Sequence, residues 1–245
     1  SLTEMILPEG ITAIENYTFA ICSSLSNIVI PDSVTKLGDG AIGQCESLKS
    51  IVLPENITEI GEKAFLNCYD LTSVTLPKSL TTIGEDAFHT CRSLSGIRIP
   101  DSVTSIGPDA FVNCKSLRTI TIPEGVNEIA DRVFEGCTGL TSVTIPDGVT
   151  RIGDEAFYCC SSLADITIPA TVTDIGVKVF LGCPLLSTFS GKFSSADGRC
   201  LIDDGHLIAF APAGLTEYAI PNEVTSIGAS VFESCFALES VTIPN

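Results

Sequence analysis

The sequence is short of the groups that most functional classes need. No apolar run approaches the roughly 18–20 residues of a membrane-spanning helix, and no basic-then-apolar segment opens it as an export signal would. The first residues, Ser1-Leu2-Thr3-Glu4-Met5-Ile6-Leu7-Pro8, already read as part of a repeat, so any export signal was removed or never included. Basic residues are scarce: 13 Lys and Arg stand against 30 Asp and Glu, for a net charge of −17. Such a surface repels a phosphate backbone and an anionic lipid surface alike. Nucleic acid and membrane insertion are therefore not expected, while the charge keeps a 44% hydrophobic chain soluble.

Catalytic signatures are missing too. There is no G-x-x-x-x-G-K, no G-x-S-x-G and no H-E-x-x-H. The eleven cysteines include no C-x-x-C pair of the kind that converges on a metal. Of the two histidines, His89 lies two residues before Cys91, a spacing that does not place both on one helix face. Carboxylate pairs such as Glu85-Asp86 and Asp154-Glu155 fall at expected helix starts, where negative charge is favoured anyway. The chain reads as non-enzymatic, with no cofactor and no metal.

What is present is a period. Prolines stand at 8, 31, 54, 77, 100, 123, 146 and 169, and cysteines at 22, 45, 68, 91, 114, 137, 160 and 183. Leucines from Leu2 to Leu186 keep the same step of 23. Residues 2–185 thus hold eight units, 186–214 an atypical one, 215–237 a regular one and 238–245 a partial one. One elongated solenoid of ten full coils and a partial one is expected. Neither end shows the polar cap of a terminal repeat, which suggests a piece of a longer protein or end-to-end self-association.

In residues 94–114, Ile97 and Ile99 alternate with Gly96 and Arg98, the period of a half-buried strand. Pro100 ends the ladder. Val103 and Ile106 return to the core, and Gly107 allows a turn. Pro108 and Asp109 suit the start of a short helix, with Ala110, Phe111 and Cys114 on one inward face. A single unit has nothing to bury its apolar side against, so the units stack.

The unit Leu-Thr-Ser-Val-Thr-Ile-Pro-Asp-Gly-Val-Thr-Arg-Ile-Gly-Asp-Glu-Ala-Phe-Tyr-Cys-Cys at 140–160 resembles the BspA-like, or treponemal-type, leucine-rich repeats, and the likeness covers essentially the whole chain. It implies an α/β fold: a right-handed leucine-rich-repeat solenoid with a concave parallel sheet, and short helical turns and strands on the convex side. It also implies secreted or cell-surface proteins associated with adhesion and host or matrix binding. Departures are few: Ile42 replaces the repeated Phe, Ala130 the Gly and Asn127 the Thr, none of which weakens the fold assignment.

In the atypical unit, Asp204-Gly205 between apolar runs signals a β-hairpin over 198–210 in place of the helical turn. It reads either as a tolerated outer insertion or as a protruding recognition element, with Asp203, Asp204 and His206 at its tip. The ladder cysteines read as small buried hydrophobes, and Cys159 and Cys200, off the ladder, as candidates for an exposed thiol or a partner bond. The outward strand rows supply the other candidate ligand residues: Asn27, Thr75, Thr121, Thr144, Asp165 and Arg98, with Lys78 nearby. These rows are small and hold few of the Trp, Tyr and Arg residues that dominate tight interfaces, and Thr and Val suit strands in any case. A mostly acidic row (Glu9, Asp32, Glu55, Lys78, Asp101, Glu124, Asp147) follows the prolines. The expected function is a binding or adhesion module for a protein or glycan, with a structural spacer as the alternative.

Overall fold

Each 23-residue unit makes one coil of a parallel β-solenoid in the computed structural model, which describes residues 2–243. Equivalent residues stack at an offset of 23, as Glu4 on Asn27, Ile51 on Val74 and Ile120 on Val143. The front of most coils is a three-residue strand such as Asn27–Val29, Ser50–Val52, Ser73–Thr75 or Thr119–Thr121, exposed, buried, exposed in turn. The proline two residues later cannot extend the ladder, and its carbonyl accepts the amide three residues on, closing a turn: Val34 to Pro31, Val103 to Pro100, Val126 to Pro123. A two-residue back strand follows, as Glu59–Ile60, Thr82–Ile83 and Ser105–Ile106.

The expected helical turns do not form; the described residues contain no helix. In the coil after Gly84, alternate amides bond in two directions. Ala87, His89 and Cys91 donate to carbonyls three residues earlier, at Gly84, Asp86 and Phe88. Asp86, Phe88 and Thr90 instead donate to Pro108, Ala110 and Val112 of the next coil. The backbone switches direction through left-handed residues four apart: Lys63 and Asn67, Asp86 and Thr90, Asp109 and Asn113, Arg132 and Gly136. A helix needs every amide turned inward along its own axis. Here half of them hold the next coil, and the cost of left-handed geometry at non-glycine residues is offset by that ladder. The spacing of Ala110, Phe111 and Cys114 fits these stacked turns as well as it fits a helix.

The glycine column has a different cause from the one the sequence suggests. None of Gly61, Gly84, Gly107 or Gly153 has a positive φ. A Cβ at Gly107 would lie 2.6 Å from the Glu85 amide nitrogen, and one at Gly61 2.6 Å from the Gly38 carbonyl carbon. The glycines permit coils to approach. Ala130 stands in this column, and there the coils part: Ser105–Ile106 and Glu128–Ile129 belong to separate sheets, and a cleft of about 320 Å³ opens between them. The substitution is therefore not neutral to the fold.

The core is a set of ladders. Phe65, Phe88, Phe111, Phe134, Phe157 and Phe180 stack with ring centroids 5.1–5.8 Å apart and planes within 18° of parallel. The ladder cysteines are free thiols. From Cys45 to Cys183, each donates its S–H to the carbonyl at the Phe position of the preceding coil, as Cys91 to Phe65 at 3.2 Å and Cys137 to Phe111 at 3.1 Å. That carbonyl already holds an amide of its own coil, Cys68 on Phe65, so the thiol occupies its second lone pair. Burial pushes these thiols up, to about 12 at Cys45, Cys137 and Cys183.

The atypical unit interrupts the ladders. Cys200–Asp203 and His206–Phe210 pair antiparallel around Asp204 and Gly205, both at positive φ, as a two-residue hairpin of the primed type requires. The hairpin neither protrudes nor sits outside the wall. Cys200, Leu201, Leu207, Ala209 and Phe210 are buried, and His206–Leu207 continues as a back strand paired with Ser226–Ile227. With no turn in this unit, the turn ladder stops at Lys178, Phe180 and Gly182, whose amides have no hydrogen-bond partner among the described residues. Cys200, Leu207 and Phe210 then gather Tyr218, Val231, Phe232 and Leu238 into a second apolar cluster.

Candidate functional site

The residues singled out from the sequence fall into three places. Asn27, Thr121, Thr144 and Asp165 are exposed along the front strands; only Thr121 and Thr144 are register partners. Asp203, Asp204 and His206 are exposed at the hairpin turn, on the back of the solenoid, with His206 Nδ1 2.8 Å from Ser226 Oγ. Asp203 and His206 share a shallow groove with Asp174 and Lys178. Thr75, Lys78 and Arg98 come together on the front, lining an open groove of about 530 Å³ with Val74, Leu76, Pro100, Asp101 and Ser102. The hairpin and the Arg98 groove are separate surfaces.

Front pairing is absent at several coil boundaries, but only at the coil of Arg98, among the described residues, is the front strand itself missing. Gly96–Arg98, the positions equivalent to Ser73–Thr75 and Thr119–Thr121, form no strand. Glycine is a poor strand residue, and nothing lies within 4 Å of where a Cβ of Gly96 would sit. Ile97 is half-buried, whereas its counterparts Ile51, Val74 and Ile120 are buried.

Charge is distributed unevenly around it. On the back, Arg151 contacts Glu128, Asp131 at 2.9 Å and Asp174 at 3.3 Å, clamping three successive coils. Arg132 grips Asp109 with two bonds of 2.7 Å. Arg92 lies over Tyr69, and Arg199 holds the Ala211 and Ala213 carbonyls. Lys78 and Arg98 make no ion pair and no side-chain hydrogen bond among the described residues.

Two features escape sequence reasoning. Cys200 is buried rather than exposed, and its Sγ lies 3.2 Å from the Tyr218 hydroxyl, which donates to Asp197; Ser195 Oγ donates to the other Asp197 oxygen. The thiol is pushed up to about 11 by burial, which keeps it protonated and makes the cluster a brace for the atypical unit. Cys159 is half-buried. Among the described residues, no three His, Cys, Asp or Glu side chains are placed to hold a metal ion, and no helix is long and apolar enough to cross a membrane.

No curated protein matches the sequence. The solved structure of a leucine-rich cell surface protein from Faecalibacterium prausnitzii A2-165 is 29% identical, with a TM-score of 0.73 over 98% of this chain and 69% of that one. The leucine-rich repeat protein of T. pallidum is 30% identical, with a TM-score of 0.59 over 80% of this chain and 87% of that one. Six copies of the BspA type leucine rich repeat region match residues 1–118, 81–196 and 207–245. With the 23-residue coil, the stacked turns and these likenesses in agreement, the chain belongs to the BspA-type leucine-rich repeat family.

Proposed function

We propose that this chain is a non-enzymatic binding module of a secreted or cell-surface protein, engaging a protein or glycan through its front face. The observation that carries this reading is the groove of Thr75, Lys78 and Arg98, in a front face whose exposed strand positions are mostly small Ser, Thr and Val side chains. In a chain of net charge −17, two cations left without carboxylate partners at one opening form a recognition point rather than a structural clamp. Asn27, Thr121, Thr144 and Asp165 extend the same surface as polar rim, and Asp203, Asp204 and His206 offer a second, weaker surface on the back. The F. prausnitzii neighbour, a cell surface protein, supports the location.

The test is an array of glycans and matrix proteins probed with the chain and with its Arg98→Ala variant. A hit that loses at least about tenfold in affinity in the variant, the weight of one charge-assisted contact, supports the reading. A hit indifferent to Arg98 moves recognition elsewhere on the wall. Folded protein that binds nothing on the array favours a spacer array that presents another domain.

A further inference from the structure

We propose that the groove beside Gly96–Arg98 takes an extended acidic peptide, which docks by main-chain pairing on the opened front ladder and places a carboxylate between Arg98 and Lys78. This deepens the binding reading above and names the partner's chemistry.

The first argument is the backbone. In neighbouring coils the approach to the front strand is bonded across, Thr72 to the Lys49 carbonyl and Thr141 to the Arg118 carbonyl, and Thr119–Thr121 pairs with Ser142–Thr144. From Ser95 to Ile99, no amide and no carbonyl makes a hydrogen bond to another residue among those described. The free side of Ser73–Thr75 faces the same opening, since its one ladder partner is Ser50–Val52. Unpaired strand edges are templates for a further strand, and main-chain pairing of this kind gives affinity without a deep pocket. Alternating donors and acceptors at strand spacing are matched by another main chain; a sugar ring has no such period.

The second argument is charge. Five of the 13 Lys and Arg residues, Lys36, Lys49, Lys63, Arg132 and Arg151, are in ion pairs with the carboxylate-rich surface, and Arg92, Lys192 and Arg199 have aromatic or carbonyl partners. Of the cations with no carboxylate, carbonyl or aromatic partner among the described residues, Lys78, Arg98, Lys115 and Arg118 lie in the three consecutive coils of residues 71–139. Arg98 and Lys78 line the groove and Arg118 follows Ser95 in the next coil's row. Asp101 on the rim opposes an anion near Pro100 and so directs the carboxylate toward the Arg98 end. The third argument is lining: Val74, Leu76 and Pro100 give an apolar floor for the side chain that alternates with the acidic one.

The test uses fluorescence anisotropy on the full chain with a labelled hexapeptide of alternating Thr and Glu. Three competitors are the same peptide with Gln for Glu, the same peptide N-methylated at alternate amides, and an oligogalacturonate of equal charge. Proteins are the wild type, the double variant Lys78→Gln with Arg98→Gln, and Lys36→Gln as a cation control on a back strand; thermal melts confirm folding. The expected result is saturable binding, weakened about tenfold or more by the double variant, by Gln and by N-methylation, and unchanged in Lys36→Gln. No saturable binding, equal binding by the double variant, or equal binding of the N-methylated peptide overturns the proposal. So does an oligogalacturonate that displaces the peptide and binds more tightly, since the ligand is then a polyuronate. If the peptide fails while an array hit still depends on Arg98, the binding reading stands and this inference alone falls.

Discussion

Replacing Ala130 by glycine should stabilise the protein, against the usual sign of that exchange. Glycine for alanine ordinarily costs about 0.5–1 kcal/mol through chain entropy, and loss of a buried methyl costs about 0.8 kcal/mol more. At this position the methyl holds two coils apart. On either side, the column's amides cross the coil boundary: Gly107 to Ile83 at 2.8 Å and Gly153 to Ile129 at 2.7 Å. The matching bonds from residue 130 to Ile106 and from Asn127 to Thr104 are absent, as is pairing of Ser105–Ile106 with Glu128–Ile129. Closing the seam would form two or three such bonds at about 1 kcal/mol each. It would also bury the walls of the cleft lined by Thr104, Ile106, Pro108 and Ala130. The net expectation is a gain of about 1 kcal/mol, against a loss of about 1.5 kcal/mol if the seam stays open. Urea unfolding gives the sign, and amide hydrogen exchange locates it: Asn127 should exchange fast in the wild type and slowly in Ala130→Gly. A destabilised variant with Asn127 still unprotected would refute the account of the column.

Alkaline pH should loosen the core through its thiols. Burial holds the ladder cysteines above their ordinary value of 9.0, so the unfolded chain releases protons that the folded chain keeps, and stability falls as pH rises through 9. Each thiol contributes about 1.4 kcal/mol of that loss between pH 8 and pH 10. Under reductant, a variant carrying Cys91→Ala, Cys114→Ala and Cys137→Ala should therefore lose about 4 kcal/mol less than wild type over this interval in urea titrations; parallel pH profiles would remove the thiols as the cause. The ring ladder gives a contrast of its own. Phe111→Leu breaks two stacks, worth about 0.5–1.5 kcal/mol each, while Ile42→Leu breaks none and stays under about 1.5 kcal/mol; equal urea midpoint shifts would show that stacking adds nothing to burial.

The periodic residues made the coil legible before any coordinates, because each has one job repeated in every unit. Pro123 ends a strand, Leu94 and Phe111 fill the core, and Asp204-Gly205 turns a hairpin. The turn geometry was not legible. Apolar spacing fixes which side chains face inward but not which way an amide points, and residues tolerant of left-handed geometry, such as Asn67, Asp86, Asp109, Asn113 and Gly136, were the local hint. Lys63, Arg132 and Glu155 adopt the same geometry without any such signal, since the stack imposes it. Ala130 looked conservative because the exchange is small in composition; its effect depends on a 2.6 Å approach that only neighbouring coils reveal. For the candidate site, Arg98 stood out as the one large cation in its row. The groove beside it comes from Gly96, which reads in sequence as one more small residue.

The offset of 23 also sets how the molecule responds to tension. Outside the atypical unit, the hydrogen bonds between coils reach the adjacent coil and no further, so a pull on one end loads a single coil boundary at a time. Each coil that peels away releases 23 residues, about 80 Å of extended chain, in exchange for roughly 5 Å of stacked height. The seam at Ala130 lacks both front and back strand pairing, so lengthening would begin there and run in blocks. A wall built this way yields length under load while the coils on either side keep their shape.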